Sequence, residues 1–325
     1  MLCINIQNNN PFFNLASEEY FLRFCAEDCF LLWISEPAVI VGKHQIAQAE
    51  INPRFVHNHD IPVLRRLSGG GTVYHDAGNL NFSFITNEEP GHLIDFKRYA
   101  LPVIRFLEFM GIQASMSKKN EITAHGMKIS GNAGHVYKNR VLHHGTLLYN
   151  SDLQNLRNAL SDNTERYHSR AVQSNRTQVA NIADFMTNHL DIETFSIRLL
   201  DYIQKTYMGR QYYPNASEMN HISQLASVKY AQWEWIYGYS PEYRFEHEFH
   251  HEGFPVSIHF TVQKGIIHES SIKTNMFSKD SCNTLSGKLN GNRHSWEDFL
   301  AMARTTILPG IHAQKVTDFF MENFF

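Results

Sequence analysis

The sequence predicts an α+β protein built from a main domain and a smaller C-terminal domain. Short apolar runs that alternate with polar or small residues, as strands do, are interspersed with longer segments of helical periodicity. The length of 325 residues is sufficient for two domains. Turn residues close the segment 233–245, and a new series of alternating runs begins after it. We therefore expect a main domain over residues 1–245 and a second α+β domain over residues 246–325.

The first elements are predicted to be a helix and two strands. Residues 13–26 place apolar side chains at helical spacing, with Asn14 or Ser17 as the N-cap. Two apolar runs follow at 30–34 and 39–42, and a Glu-Pro turn separates them. We expect these two runs to pair with each other as neighbouring strands.

A glycine-rich segment, RRLSGGGTVYHDAGN, occupies residues 65–79. It overlaps one strand-like run at 63–67 and leads into another at 80–85, so its glycines are predicted to join two strands. Three consecutive glycines allow backbone N–H groups to approach an anion, and the two arginines add positive charge. The segment matches neither the Walker pattern G-x-x-x-x-G-K-[ST] nor the Rossmann pattern G-x-G-x-x-G. It is therefore an anion-binding candidate without a standard nucleotide fingerprint.

The rest of the chain alternates between helices and strands. A helix is predicted over 98–111, ending at Gly111, and Lys128 and His144 lie in the strand-rich stretch that follows. Further helical patterns occupy residues 152–161, 191–207 and 216–232. The C-terminal domain begins with the strand runs FPVSIHFTV and IIHESSIKT and ends with two or three helices.

Composition limits the function classes. The 29 Lys and Arg residues against 32 Asp and Glu residues give a net charge of -3, so nothing global favours binding to nucleic acid or to a membrane surface. The four cysteines lack zinc-ligand spacing and are too sparse for a disulfide scaffold, which favours reduced thiols. The N-terminus has no signal-peptide pattern, and no window approaches the ~20 apolar residues of a membrane helix. We expect a cytoplasmic protein.

Several segments, taken together, resemble one family over nearly the whole chain. In chain order they are NPFFNLASEEY, LLWISEPAVIVGKHQ, RRLSGGGTVYHDAGNLNFSF, KISGNA, HHGTLL, VQSNRTQVANI and WEWIYGYSP. They are similar to segments of the lipoate-protein ligases, a family of the biotin/lipoate ligase superfamily, whose core resembles that of class II aminoacyl-tRNA synthetases. The resemblance implies a mixed-sheet core with helices, followed by the small α+β C-terminal domain.

This resemblance also implies an activity. Members of the family combine ATP and lipoate into lipoyl-AMP and pyrophosphate, and then transfer the lipoyl group to a lysine of a carrier domain. The implied carriers are the lipoyl domains of 2-oxoacid dehydrogenase E2 subunits and the H protein of the glycine cleavage system. Mg²⁺ is expected as well, because ATP phosphates are normally delivered with this ion. We expect a monomer with no nucleic-acid or membrane partner.

Lys128 is the implied catalytic residue. Adenylation builds negative charge as a carboxylate attacks the α-phosphorus of ATP, and a lysine can contact both groups as a point charge. In the family, the lysine of the KxSG motif has that position. Here the small residues Ser130, Gly131 and Ala133 follow Lys128 and keep its surroundings narrow. Outside this motif, a surface lysine on a strand would be the ordinary interpretation.

The glycine-rich segment supplies the other implied contacts. Its candidate residues are Arg66, Ser68, Gly69, Gly70, Gly71, His75, Asp76 and Asn79. The arginine, the serine hydroxyl and the glycine amides are expected to hold the lipoate carboxyl end or a phosphate. The remaining three are expected to brace the loop or to contact the nucleotide. The alternative is a glycine-rich hairpin with structural arginines.

The HHGT segment at 143–146 and the Asn-Glu pair at 120–121 complete the candidate set. His143 and His144 are adjacent on a predicted strand, so their side chains point to opposite faces and do not easily chelate one ion. We expect His144 to face the pocket. The Asn-Glu pair at 120–121 stands where the family has an Asn-Asp or similar pair, and a solvated strand residue is the alternative for its glutamate. The candidates added here are His144, Gly145, Thr146, Asn120 and Glu121.

The sequence departs from the family pattern at two places. Ser174 and Arg176 are retained, but Gln178 stands where many members carry a second arginine. Ile46 stands where asparagine is common. A phosphate contact or an ion pair is therefore expected to be missing near Gln178.

Three alternative functions are weighed against the ligase. An octanoyltransferase of the same superfamily uses a cysteine nucleophile and no ATP, and residues 111–122, where that cysteine is expected, contain none. A biotin-protein ligase would carry a GRGRxGR-like motif, which the sequence lacks. A non-catalytic lipoyl-domain-binding protein is disfavoured, because Lys128, Arg66 and the three glycines are retained together.

Overall fold

The computed structural model describes residues 1–89, 94–161, 163–174, 177–306 and 313–325. The strands are β1 (Leu2–Asn5), β2 (Cys29–Ile34), β3 (Ala38–Val41), β4 (Val63–Arg65), β5 (Val73–His75), β6 (Asn79–Asn87), β7 (Ala114–Met116), β8 (Glu121–Ala124), β9 (Met127–Tyr137), β10 (Arg140–Leu148), β11 (Tyr167–His168), β12 (Arg210–Gln211), β13 (Tyr243–His251), β14 (Phe254–Gln263) and β15 (Ile266–Thr274).

The longer α-helices lie in the segments where helical periodicity predicted them. The α-helices are α1 (Pro11–Phe24), α2 (Ala47–Glu50), α3 (Pro53–Asn58), α4 (Phe96–Phe109), α5 (Leu153–Ala159), α6 (Ile192–Tyr207), α7 (Ala216–Leu225), α8 (Trp233–Ile236), α9 (Lys279–Leu289), α10 (Trp296–Thr305) and α11 (Ala313–Asn323). The short helices α2, α3 and α8 were not predicted. The helix predicted over 216–232 is interrupted, because a π-helical turn, Ala226–Tyr230, follows α7. Within the described ranges, no helix is both long enough and apolar enough to cross a membrane.

The chain forms two compact units, and it passes between them more than once. The first unit consists of Met1–Gly42, Pro62–Arg157 and Ser174–Gln232, and the second consists of Lys43–Ile61, Asn158–Gln173 and Trp233–Phe325. Two segments that lie well before residue 233 therefore belong to the second unit. The functional division into domains 1–245 and 246–325 stays a prediction.

The first unit is organised around an eight-stranded mixed sheet in the order β12-β1-β2-β6-β10-β9-β8-β7. It also contains a separate three-stranded sheet in the order β4-β3-β5. The predicted pairing of β2 with β3 is wrong. Strand β2 pairs with β1 and β6, whereas β3 pairs with β4 and β5. Both strands are apolar and buried along almost their whole length, so neither has a polar face that would specify its partner.

Helix α1 begins earlier than predicted. Asn10, and neither Asn14 nor Ser17, is the N-cap, and its side chain accepts hydrogen bonds from the backbone of Phe12 and Phe13. Proline fits the first helical turn because its missing N–H would have no intrahelical partner there, so Pro11 follows the cap. The helix buries ten of its fourteen residues, including two consecutive glutamates, Glu18 and Glu19.

The core of the first unit lies between the large sheet and helices α4 and α6. Buried side chains such as Phe82 on the sheet, Phe106 on α4 and Phe195 on α6 belong to one cluster. Helix α4 ends at Phe109, and Gly111 adopts a positive φ of 84° two residues later, close to the predicted stop.

The second unit has its own core and a smaller antiparallel sheet, β11-β13-β14-β15. Helices α9, α10 and α11 contribute to a core rich in phenylalanine, in which Phe245, Phe260 and Phe299 are almost fully buried. Residues from the early segments, Ile46 and Tyr167 among them, pack in the same cluster. The predicted α+β class, with a mixed-sheet core and a smaller α+β unit, is confirmed.

Candidate active site

The three glycines of the glycine-rich segment lie between strands β4 and β5. The predicted strand at 80–85 is part of β6, whereas β5, inside the segment, was not predicted. Arg66 follows β4 directly, and its guanidinium is turned back into the segment. It donates hydrogen bonds to the carbonyl oxygens of Gly69 at 2.6 Å, Gly71 at 2.7 Å and Ile40 at 3.0 Å, and to the hydroxyl of Ser68 at 3.0 Å. Arg66 is buried, whereas the glycines are partly or fully exposed. The buried guanidinium therefore fixes the backbone conformation of the segment.

The glycines themselves are required by space and conformation. Gly70 has a positive φ of 84°, which disfavours any residue with a Cβ. A Cβ at Gly71 would lie 3.1 Å from the Ser174 hydroxyl and 3.3 Å from the Ser174 Cα. That hydroxyl also accepts a hydrogen bond from the Thr72 amide at 2.8 Å. Among the described residues, none accepts a hydrogen bond from the amides of Gly69, Gly70 and Gly71. Amides that have no acceptor within the described part of the chain can bind an anion.

A buried relay of four side chains begins at Ser68. Its hydroxyl lies 2.6 Å from Nε2 of His144, and Nδ1 of His144 lies 2.7 Å from Oε1 of Glu18. Ser83 donates a hydrogen bond to the same carboxylate oxygen at 2.5 Å. Because a carboxylate accepts only, it favours the imidazole tautomer with the proton on Nδ1, and Nε2 then accepts from Ser68. The relay thus sets the direction of the Ser68 O–H bond.

The two neighbouring histidines have opposite environments, as strand alternation predicted. His143 lies on the core side, stacked on Tyr99 with ring centroids 5.2 Å apart, and close to Phe82 and Phe96. Burial lowers the pKa of His143 to about 3, and the nearby His144 adds to this. His143 is therefore a neutral core residue. His144, with its polar partners, lies on the other face of β10.

Lys128 lies near the start of β9, opposite an irregularity in the β8–β9 pairing. Its Nζ is 3.1 Å from Oε1 of Glu121, and that oxygen also accepts a hydrogen bond from Thr177 at 3.1 Å. Its backbone pairs on the other side with the chain around Val179, donating to Gln178 O at 2.9 Å. The lysine side chain is about one-fifth exposed and the glutamate is nearly buried. A partly shielded cation is thus held in one place by a carboxylate.

Gly131 and Gly145 differ in the room that they leave for a side chain. A Cβ at Gly131 would touch Cε and Nζ of Lys128 at 3.4 Å, and the Gly131 amide donates to the Thr146 hydroxyl at 3.2 Å. A Cβ at Gly145 would lie 2.6 Å from both Oδ1 of Asn132 and the Phe82 ring, so only glycine fits there. Gly145 therefore has a packing role.

The region around β5 and its following turn is held by a second set of polar contacts. Burial lowers the pKa of His75 to about 3, with smaller contributions from Arg66 and His144. Asp76 accepts hydrogen bonds from the Gly78 amide at 2.9 Å and the Asp152 amide at 2.7 Å, so it braces the turn.

Two candidate asparagines differ in their surroundings. Asn79 donates to Asn81 at 3.0 Å, and its own Oδ1 is buried without a hydrogen-bond partner among the described residues. Asn120 occupies a turn before β8 with a positive φ of 60°. Its backbone amide donates to Ser117, and its placement there is typical of a turn asparagine.

Most of the candidates are brought together by strands β9 and β10. Ala133 on β9 pairs with His144 on β10, and a Cβ at Gly70 would be 3.6 Å from the Cβ of Ala133. The glycine-rich segment therefore lies against the strand that carries Lys128. Ser130 is fully buried and accepts a hydrogen bond from Asn132 at 3.2 Å. Arg176 lies outside the described residues.

Glu18 and Ser83 are the relay residues that the sequence interpretation missed. Glu18 was part of the segment NLASEEY, but no role was assigned to it. The available signal was a pair of acidic residues inside an otherwise apolar helical segment, because a buried carboxylate requires a polar partner. Ser83 had no comparable signal, since a serine on a strand is common.

Two family models match this chain. Residues 10–204 match the model described as the lipoyl protein ligase A/B catalytic domain, and residues 240–322 match the bacterial lipoate protein ligase C-terminus. The lipoate-protein ligase 1 of Staphylococcus aureus strain Mu50 is 39% identical to this chain over 297 residues, which is 90% of each protein.

Solved structures show the same similarity. A Thermoplasma acidophilum protein solved with bound lipoic acid is 25% identical to this chain, with a TM-score of 0.62 over 73% of this chain and 98% of that one. A lipoate-protein ligase A bound with ATP is also 25% identical, with a TM-score of 0.63 over 73% of this chain and 98% of that one. Each of the two solved structures thus matches about three-quarters of this chain.

Proposed function

We propose that this chain, which belongs to the lipoyl protein ligase A/B family, activates lipoate with ATP and transfers the lipoyl group to a lysine of a carrier domain. The family model and the 39% identical relative confirm the resemblance seen in the sequence. A lipoate-bound and an ATP-bound protein of similar structure support these two substrates. The arrangement that carries the proposal is the glycine-rich segment lying against β9, the strand of Lys128, where Gly70 approaches Ala133.

In the first half-reaction, a carboxylate oxygen of lipoate attacks the α-phosphorus of ATP, and pyrophosphate leaves. Negative charge grows on the phosphoryl oxygens, so cationic and N–H groups accelerate the step. Lys128 supplies the cation, and the amides of Gly69, Gly70 and Gly71 supply the donors. In the second half-reaction, the amine of a carrier lysine attacks the lipoyl carbonyl carbon, AMP leaves, and the amine loses its proton.

Three residues position these groups through contacts within the protein. Arg66 binds the carbonyl oxygens of Gly69 and Gly71 and so fixes the shape of the segment that carries the glycine amides. Glu121 holds Lys128 at 3.1 Å until a substrate anion competes for the ammonium. Glu18 orients His144, and through it the Ser68 hydroxyl.

Mg²⁺ fits this proposal as a companion of ATP. Among the described residues, no three His, Cys, Asp or Glu side chains are grouped as a metal site. Mg²⁺ on nucleotide phosphates needs only one or two protein carboxylates, and Glu121 is the candidate beside Lys128. When bound, the ion would neutralise charge on the leaving pyrophosphate.

The acceptors that we propose are the lipoyl domains of 2-oxoacid dehydrogenase E2 subunits and the glycine cleavage H protein. These are lysine-bearing carriers, which is the chemistry that the second half-reaction requires. A cytoplasmic monomer remains our expectation for the protein itself.

The decisive experiment combines Lys128→Ala with lipoate-dependent pyrophosphate release. We expect release to fall at least about a hundredfold, because the lost cation stabilises the charge that develops in the transition state. Lys119→Ala is the matched control, since Lys119 is an exposed lysine in the turn before β8. Near-normal release by a folded Lys128→Ala protein would refute the assignment.

A second arm separates the ligase from its alternatives. The wild-type protein is mixed with a purified lipoyl domain and either free lipoate or a second, acylated carrier, with and without ATP and Mg²⁺, and the lipoyl domain is weighed by mass spectrometry. A lipoyl mass gained only with ATP supports a ligase. Transfer from an acylated carrier without ATP would instead indicate a transferase, and binding without any mass gain would indicate a non-catalytic protein.

A further inference from the structure

Two thiols lie together at the C-terminal end of α1, and neither has a role in the proposed acyl activation. Cys25 caps the C-terminus of the helix and Cys29 begins strand β2. Their sulfur atoms are 3.6 Å apart, and both thiols lie near the carbonyl oxygen of Glu27, at 3.7 Å and 3.3 Å respectively. Cys25 is partly exposed, whereas Cys29 is buried. Only one of the two thiols is therefore directly accessible to a small reagent.

The loop that holds the two sulfurs is anchored at each of its residues. Asn87 donates hydrogen bonds to the Ala26 carbonyl at 2.8 Å and, from its backbone, to the Asp28 carboxylate at 2.8 Å. Arg140 donates to the Glu27 carbonyl at 2.9 Å and also to the Asn87 side chain at 3.1 Å. The short distance between the sulfurs is thus a consequence of a fixed loop.

The two thiols have opposite electrostatic environments. The hydrogen bond from Cys29 lowers the pKa of Cys25 to about 6, with a further contribution from the Arg140 guanidinium, while burial opposes the shift. The same hydrogen bond and burial raise the pKa of Cys29. Burial also raises the pKa of Cys3, to about 11, and that of Cys282. Cys25 is therefore the thiol of the pair that ionises more readily, and Cys29 can donate a hydrogen bond to its thiolate.

We propose that Cys25 and Cys29 form a peroxide-sensitive dithiol that closes reversibly into a disulfide. The Cys25 thiolate attacks one oxygen of a hydroperoxide, the O–O bond breaks, and Cys25 becomes a sulfenic acid while hydroxide or alkoxide leaves. The Cys29 sulfur then attacks the Cys25 sulfur, and water leaves with the Cys29 proton. The sulfurs must approach each other from 3.6 Å to about 2.05 Å, a movement of about 1.5 Å. A dithiol reductant reverses the reaction by exchange.

The test uses the full-length, reduced protein at pH 7 with a few equivalents of hydrogen peroxide. After denaturing alkylation, trypsin and an endoproteinase that cuts before Asp separate the thiols into peptides 24–27 and 28–43. We expect these two peptides to be linked, two hydrogen masses lighter than their sum, and to separate on addition of dithiothreitol. Cys25 should also alkylate at least about tenfold faster than Cys3 or Cys282 in the folded protein.

Three variants make the outcome specific. Cys29→Ser should stop at a Cys25 sulfenic acid that a 1,3-dione labels, Cys25→Ser should leave Cys29 unmodified, and Cys282→Ser should retain the link. The proposal fails if wild-type Cys25 proceeds to sulfinic acid while Cys29 remains a thiol. It also fails if neither thiol reacts, or if the dione labels the wild-type protein as strongly as Cys29→Ser. These measurements detect sulfur chemistry alone, so they do not depend on the proposed ligase activity.

Discussion

Glu18 shows how much a single buried residue organises in this molecule. It is about 2% exposed, it accepts from His144 and Ser83, and it lies on a helix whose other inward residues are largely apolar. A buried carboxylate is costly unless it is hydrogen-bonded, and the bonds from His144 and Ser83 offset that cost at Glu18. Through His144, Glu18 sets the direction of the Ser68 O–H bond at the other end of the relay.

Glu18→Gln is expected to weaken both the fold and the first half-reaction. A neutral amide loses the charge-assisted hydrogen bond to His144, which is worth about 1.5–3 kcal/mol. Urea titration should show a loss of that size in the free energy of unfolding, and lipoate-dependent pyrophosphate release should fall at least about tenfold. The exposed Glu36→Gln is the control. Unchanged release in a folded Glu18→Gln protein would show that the relay has no role in positioning.

His143 gives a prediction about pH. Burial lowers the pKa of His143 to about 3, against ~6.5 in the unfolded chain. Between these two pH values, the unfolded chain therefore binds a proton that the folded chain does not. Its stabilising contribution is complete above about pH 6.5 and declines as the pH falls. Between pH 7 and pH 5, the free energy of unfolding of His143→Phe should therefore fall by about 2 kcal/mol less than that of the wild type.

The His143 measurement is a urea titration of both proteins at the two pH values. A packing effect of the phenylalanine would change the free energy of unfolding equally at pH 7 and pH 5. Only the difference between the two pH values therefore reports the protonation of His143. His189→Asn, at an exposed histidine, should behave like the wild type. An equal pH dependence for wild type and His143→Phe would contradict the prediction.

The glycine-rich segment marks what can be predicted about an element from its sequence. Apolar runs on both sides predicted a connection between strands, but the strand was expected at 80–85, and the short strand β5 that directly follows the glycines was missed. The three glycines predicted a backbone that an anion can approach. The part played by Arg66 was not predictable, because an arginine that binds a substrate anion and one that binds nearby carbonyls are identical in sequence. Similarly, β2 and β3 were identifiable as strands, but their partners depended on contacts distant in the chain.

Gly71→Ala tests this element directly. Its Cβ would be 3.1 Å from the hydroxyl and 3.3 Å from the Cα of Ser174, so the segment must move away from its neighbour by a few tenths of an ångström. We expect lipoate-dependent pyrophosphate release to fall at least about tenfold, because misplaced donors stabilise the transition state poorly.

The control for Gly71→Ala is Gly111→Ala. Gly111 has a positive φ of 84° but nothing within 4 Å of an added Cβ, so its replacement costs stability, about 1–2 kcal/mol, without moving the segment. If both variants lost activity in proportion to their lost stability, the close fit at Gly71 would have no functional meaning.

At the scale of the whole molecule, the sequence indicated two units but not how the chain is shared between them. The change of pattern near residue 245 was visible because a new set of strands begins there. The early segments 43–61 and 158–173 gave no such signal, since a short apolar helix or strand looks alike in either unit. Ile46, a departure from the family pattern, is explained by this arrangement, because it is buried in the core of the second unit.

Truncation after residue 245 is therefore expected to destabilise the remaining chain. It would remove most of the core that buries Ile46, Ala49 and Tyr167, and exposed apolar surface of this kind costs about 25 cal/mol per Å². Calorimetry should show a lower unfolding temperature or aggregation for the fragment 1–245, and a hydrophobic dye should bind to it. Adding the separate fragment 246–325 should reverse these changes. Cooperative unfolding of fragment 1–245 at the temperature of the full chain would show that the two early segments are stable without the C-terminal core.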